Sequence, residues 1–229
     1  MKGRVQVAAI GLAALVTGIA SAEAAEIRID FTNNAPAGGT YLTPAWVGFH
    51  DGTFDLFSAG ASASAALEAI SEDGNTGPLF TAFAGAGADA MVGGAPIAPG
   101  QTVSTNLTVA DDGSNNYFSF ASMLLPSSDF FIGNDNPLTT SIAGLLDGTF
   151  GRISVDVISV FDAGTEVNDF ATSAGNPLFG LPGGQGAPNT GADEGAFVTL
   201  ITSAAYAGFL NSGGADLSGF DFSNYTSVA

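Results

Sequence analysis

Two short acidic turns hold the most concentrated chemistry in this sequence. The first is Pro126-Ser127-Ser128-Asp129-Phe130-Phe131-Ile132-Gly133, and the second, further along, is Phe161-Asp162-Ala163-Gly164-Thr165-Glu166. Each places carboxylates in a turn directly after a strand-like apolar run. Oxygen donors gathered from separate loops are what a hard cation such as Ca²⁺ takes, about six to eight at a time. Carboxylates converging with no lysine nearby repel one another by about 4 kcal/mol per pair at roughly 4 Å and an effective dielectric of about 20. A divalent cation relieves that repulsion. The same side chains have a plainer use, capping their turns by accepting hydrogen bonds from backbone amides two residues on.

The elements that must position these turns read as strands. Ile27, Ile29 and Phe31 alternate with Arg28, Asp30 and Thr32, the period of a half-buried strand. Pro44 to His50 reads as extended. Thr102 to Val109 alternates, Asp111 to Asn116 is a strong turn signal, and Tyr117 to Leu125 returns as a strand, so the pair is expected to form a hairpin. Arg152 to Phe161 is the clearest strand, and its apolar face switches at Ile158, which predicts a bulge. Ala196 to Thr202 is a further short strand. One helix is expected between Ser58 and Gly74, with Ser62 or Ser64 as N-cap and Gly74 as its stop, packed on a sheet edge or closing one end. Gly85 to Gly100 and Asn176 to Asn189 are Gly/Ala/Pro-rich and read as loops. Short strands between turn clusters, in a chain poor in Leu, Glu and Lys, predict a single all-β domain of the sandwich kind.

The N-terminus reads as a secretory signal. Lys2 and Arg4 precede the apolar run Val5 to Ala20, which is short against the roughly 20 residues of a bilayer span, and small residues follow. The expected division is a signal peptide over residues 1–24 and one domain over 25–229, with no membrane span after cleavage. The sequence has 22 acids against four basic residues and a formal net charge of −18. Removal of the leader leaves Arg28 and Arg152 as its only cations. Such a surface repels phosphate backbones, so nucleic acid is excluded as a partner. It suits cation binding and solubility outside the cell. There are no cysteines, and a chain of this length buries an adequate core without disulfides.

Catalytic constellations are missing. His50 is the one histidine, so common nucleophile–base pairs would all have to run through it. No nucleophile elbow, phosphate-cradling loop or zinc helix occurs. Acids suffice for a glycosidase pair, but nothing singles a pair out, and Trp46 is the lone tryptophan where sugar sites carry several. The expectation is no enzyme, with His50 a hydrogen-bonded structural residue at a strand end.

The strand Tyr117 to Leu125 running into Pro126-Ser127-Ser128-Asp129-Phe130-Phe131-Ile132-Gly133-Asn134-Asp135 resembles the signature of the spondin N-terminal domain family. There a strand ends in Pro-Ser-Pro-Asp-aromatic, followed by Gly and a second Asp. Phe161-Asp162-Ala163-Gly164-Thr165-Glu166 resembles that family's aromatic-Asp-Ala-Gly-Thr-acid motif. Ala63 to Gly74 is similar to the helix and turn of bacterial members. The resemblance spans about Glu26 to the end. It implies a C2-like antiparallel β-sandwich with one short helix and long Gly/Pro-rich loops, holding Ca²⁺ in loops at one end. Carried over by motif, Asp129 and Asp162 are metal ligands and Glu166 ligates directly or through water. The third family ligand falls nearest to Asp111 or Asp112, across a gap in the correspondence. Ser128 replaces the second proline, and the final acid is Glu in place of Asp.

The function these readings imply is a secreted, bacterial, calcium-binding module in adhesion or matrix contacts, its partner an unidentified extracellular protein or glycan. The alternatives are a surface-layer or filament subunit, suggested by Gly/Ala-rich loops on a sandwich, and a secreted carbohydrate-active protein, suggested only by acids and export.

Overall fold

The computed structural model describes residues 23–35, 37, 40–125, 127–157, 159–168, 191–201 and 226–228. The expected leader lies outside them apart from Glu23 and Ala24, which already belong to the first strand, and so does the loop expected at Asn176 to Asn189. The strands are β1 (Glu23–Thr32), β2 (Tyr41–Leu42), β3 (Ala45–His50), β4 (Gly87–Val92), β5 (Thr102–Asp111), β6 (Tyr117–Leu125), β7 (Phe130–Gly133), β8 (Val155–Val157), β9 (Val160–Asp162), β10 (Thr199–Ile201) and β11 (Thr226–Val228). The helices are α1 (Ala65–Asp73), α2 (Gly77–Phe83) and α3 (Ala143–Leu146). Among the described residues no helix is long and apolar enough to cross a membrane.

The strands form two antiparallel sheets, one ordered β5-β1-β11-β8 and the other β10-β9-β7-β6-β3-β4, with β2 added against β6. The fold is thus the expected all-β sandwich. Its core lies between the sheets, where Ile29, Phe31 and Val109 meet Val47, Phe49, Phe118, Phe120, Phe130 and Ile132. The larger sheet is covered on its outer face too. There Trp46, Ala121, Phe131 and Phe161 pack with Leu67 and Ile70 of α1 and Leu79 and Phe83 of α2. Every residue of β3 is accordingly buried, the unbroken apolar reading of a strand covered on both sides.

The helix α1 begins and ends as its sequence requires. The Ser64 hydroxyl accepts from the Leu67 amide at 3.1 Å, and Gly74 stops it in the left-handed conformation at φ 63°. Leu67 and Ile70 are fully buried, each contributing about 2 kcal/mol against roughly 1 kcal/mol for a serine cap. Packing therefore holds this helix more than its cap does. It lies on the face of the large sheet, against β6 and β7, and not at a sheet edge.

Four further expectations are corrected. Tyr117 to Leu125 does not form a hairpin with Thr102 to Val109. β5 pairs with β1 and β6 with β3 and β7, so the Asp111–Asn116 turn carries the chain from one sheet to the other. Asn115 holds that crossing, accepting from the Ala88 amide at 3.0 Å and donating to the Ala110 carbonyl at 3.1 Å. The face switch after Val157 is likewise a change of sheet, β8 in the smaller and β9 in the larger, and not a bulge. Gly85 to Gly100 contains β4, which pairs along the whole of β3. Small residues read as loop because alanine and glycine carry no strand period, yet backbone pairing needs none. Lastly, α2 and α3 accompany the one helix expected.

His50 is fully buried on β3, its Nε2 2.9 Å from the Ser119 hydroxyl and its Nδ1 accepting from the Gly52 amide at 3.0 Å. Burial holds its pKa below the ordinary imidazole range.

Candidate metal centre

Three neighbouring strands bring the two acidic turns together. β7 lies between β6 and β9, with Phe130 paired to Asp162 and Phe131 to Phe161. Asp129, one residue before Phe130, therefore stands beside the turn that leaves β9. Ser127 shapes its own turn: its hydroxyl donates to the Leu124 carbonyl at 2.5 Å and accepts from the Phe130 amide at 3.1 Å. Across the site the Ala163 amide donates to the Asp129 carbonyl at 3.3 Å.

The second turn is clamped to residues 192–196. The Val167 amide donates to the Ala192 carbonyl at 2.8 Å, Glu194 to Thr165 at 2.9 Å and Ala196 to Gly164 at 2.7 Å. This ladder carries Glu194 to the site. Gly164 is at φ 67°, and a Cβ there would stand 2.9 Å from both the Ala196 carbonyl carbon and the Phe197 oxygen. The close approach of the two segments thus depends on a residue without a side chain.

Carboxylate oxygens of Asp129, Asp162 and Glu194 all lie within 4.8 Å of one another, and the three grade from buried through half-buried to exposed. Asp129 is 0% exposed. Its Oδ2 accepts from the Thr165 amide at 2.8 Å, the Thr165 hydroxyl at 3.3 Å and the Glu166 amide at 3.1 Å. Its Oδ1 is buried with no hydrogen-bond partner. Asp162 accepts from the Gly164 amide at 2.7 Å on Oδ1 and from Asn168 Nδ2 at 2.6 Å on Oδ2. The Oδ1 of Asn168 is also buried without a partner. Glu72 of α1 is buried just behind and interacts with the Thr165 hydroxyl.

The electrostatics are those of crowded anions. Burial first, and then the Asp162 charge, raise Asp129 to about 7. Burial raises Asp162 as well, opposed by its hydrogen bonds from Gly164 and Asn168. Burial and the Asp162 charge raise Glu194. Among the described residues the one ion pair joins Arg28 and Asp30, in the other sheet. Three convergent carboxylates, one of them with an orphaned buried oxygen, form a donor set of hard oxygens, which fits Ca²⁺.

Asp129 and Asp162 thus come together; Asp162 also caps its own turn, while Asp129 accepts from the amides of the other turn. The other two expected ligands do not join them. Asp111 ends β5 at the entry to β6, while Asp129 follows the exit of β6. Nine residues of strand separate the two, roughly 30 Å. Glu166 points its backbone amide at Asp129, while its buried side chain lies against Gly191. Its backbone is held on both sides, by Asp129 and by the bridge to Asp193, and its carboxylate is not among the three that lie within 4.8 Å of one another. Glu194 and Asn168 were not anticipated. The signal for Glu194 was the acid pair Asp193-Glu194 directly before the strand read at Ala196 to Thr202; Asn168 left no signal.

A family model described as Spondin_N matches residues 27–175. No curated protein matches the chain.

Proposed function

From the premise that this chain belongs to the Spondin_N family, we propose that it is an exported extracellular module of matrix or adhesion type that binds Ca²⁺ at the loop end of its larger sheet. The ligands are Asp129, Asp162 and Glu194, with Asn168 Oδ1 as a neutral oxygen and water completing the shell. The observation that carries this reading is the fully buried Asp129, whose Oδ1 has no hydrogen-bond partner and whose carboxylate converges with two others. A buried carboxylate left so costs several kcal/mol unless it is protonated or meets a cation. The role is structural: the cation ties the β6–β7 turn, the β9 turn and the 191–196 segment into one surface. The module is a binder and not a catalyst, and its partner is an extracellular protein or glycan.

Thermal melting of the full chain at pH 8 in excess EGTA and in millimolar CaCl₂ tests the reading. The melting temperature should rise with calcium in the wild type and stay unchanged in Asp162→Asn. Equal melting temperatures for the wild type in the two buffers would rule the site out.

A further inference from the structure

The outermost strand of the smaller sheet is paired on one side and open on the other. β5 pairs with β1 along its whole length, from Thr102 opposite Thr32 to Asp111 opposite Glu23. Two hydrogen bonds near its ends fix which backbone groups face which way. The Gln101 carbonyl accepts from the Asn33 amide at 3.0 Å, toward β1, whereas the Ala110 carbonyl accepts from the Asn115 side chain at 3.1 Å, away from it. Backbone groups alternate in direction along an antiparallel strand, so Thr102, Ser104, Asn106 and Thr108 turn their amides and carbonyls outward. Among the described residues these outward groups have no hydrogen-bond partner. Residues 87–125, which lead into β5 and out of it, are all described. β4 lies alongside in the other sheet, where it pairs with β3.

Natural edge strands are guarded by charge, proline, a bulge or short length. From Thr102 to Ala110 there is no charged residue, no proline and no glycine, and the register with β1 is unbroken. The other outer strands are shorter. β8 and β10 have three residues each and β4 has six, with Asn115 bonded to the Ala88 amide.

We propose that β5 is a self-association edge, to which a second copy of this chain adds its own β5 antiparallel about a twofold axis. Such a contact must be complementary to itself, and this strand is so in one register. Setting Ser104 opposite Asn106 of the second copy, and Thr102 opposite its Thr108, pairs every outward residue. Sliding by two residues one way requires the Ala110 carbonyl, which Asn115 already holds. Sliding the other way requires the Gly100 amide, which already donates to the Asn33 carbonyl at 2.7 Å. In the remaining register Thr105 faces itself across the axis, and Val103 meets Leu107 on the core side. Both apolar side chains are half-buried in the single copy, and the cross-strand pair covers them. Charge selects the occupant as well. Two copies of a sequence with formal net charge −18 repel one another over most of their surfaces, but β5 meets its twin through neutral side chains. The nearby acids of β1 are already engaged, Glu26 with Asn106 and Asp30 with Arg28 and Ser104. A contact confined to one strand is small, so the association is weak and depends on concentration. It lies on the opposite sheet from the acidic trio and needs no calcium.

Sedimentation velocity of the full chain in EGTA over a concentration series, joined to disulfide trapping, tests this. The wild type should pass from monomer to dimer as concentration rises. The chain has no cysteine, so trapping reports only on introduced thiols. Thr105→Cys should give a covalent dimer under mild oxidation, since Cα atoms in such a non-hydrogen-bonded pair stand about 4.5 Å apart, within disulfide reach. Thr108→Cys should trap little, because its two copies lie about 20 Å apart along the strands. Asn106→Pro should abolish dimerisation and keep the pairing with β1, as proline removes only an outward amide. Should that variant fail to fold, the contrast between Thr105→Cys and Thr108→Cys decides alone. The proposal is overturned by a wild type that stays monomeric at every concentration, or by a dimer that Asn106→Pro leaves intact. It is overturned equally by Thr108→Cys trapping as readily as Thr105→Cys, which would place the contact elsewhere.

Discussion

Thr165 donates both its backbone amide and its hydroxyl to one oxygen of Asp129, at 2.8 Å and 3.3 Å. That double donation orients the carboxylate. With Oδ2 saturated by the turn that follows β9, Oδ1 is left without a partner on a carboxylate that converges with Asp162 and Glu194. One side chain thus fastens two turns together and, in the proposed site, presents an oxygen to Ca²⁺.

Replacing Asp129 separates these roles. Asp129→Ala strands the Thr165 and Glu166 amides and should cost about 2 kcal/mol even without metal. Asp129→Asn can still accept from both amides while removing the buried charge, so its stability in EGTA should match or exceed that of the wild type. Its melting temperature should no longer respond to calcium. Paired melts of the two variants with and without calcium check both statements.

Glu194 and Asp111 offer a contrast between the geometry and the motif. Glu194→Gln should weaken calcium binding about tenfold, since affinity follows the number of charged ligands. Asp111→Asn, at the far end of β6, should leave it unchanged. Calcium titrations of the two variants side by side decide the matter.

Gly164→Ala should lower stability by about 1–3 kcal/mol, because alanine is strained at φ 67° and its Cβ would press on Ala196 and Phe197. The same change loosens the ladder that carries Glu194, so the calcium-induced rise in melting temperature should shrink as well. Denaturant unfolding with and without calcium measures both effects.

The sign of the pH dependence follows from Asp129. Burial raises it from an ordinary 3.8 to about 7 in the folded protein, so between those values the native state holds a proton that the unfolded chain releases. Its contribution to metal-free stability is complete below the ordinary value and is lost as pH rises through about 7. In the proposed site calcium takes the place of that proton. Its stabilising effect should therefore be large at pH 8 and fade as pH falls below about 7, as melting in EGTA and in calcium across that range would show.

Much of this arrangement was legible in the chain, and the failures share a cause. Alternation revealed β1 and β5, and Ser64, one of two N-cap candidates, and Gly74 bracket α1, because periodicity and capping are local. Asp129 and Asp162 were found because each closes a strand within its own motif. What local reading missed was partnership across the sheets. The Asp111–Asn116 turn looks the same whether it closes a hairpin or passes between sheets, and only the pairing of β5 with β1 tells them apart. Asp111 was carried over by motif alone, to the start of β6, the end of that strand away from Asp129. Glu194 reaches Asp162 through hydrogen bonds between segments distant in sequence, and no short window contains both. The strand β4 hid among alanine and glycine, and its pairing with β3 is made by the backbone, with one side-chain bond from Trp46 to Asp89 at 3.2 Å.

Isothermal titration of calcium into the full chain at pH 8, repeated on the Asp129→Asn, Asp162→Asn double variant, tests the central claim most directly. The wild type should bind one ion saturably and the double variant none. A wild type that takes up no calcium, or a double variant that binds as the wild type does, would contradict the assignment of these turns as a metal centre.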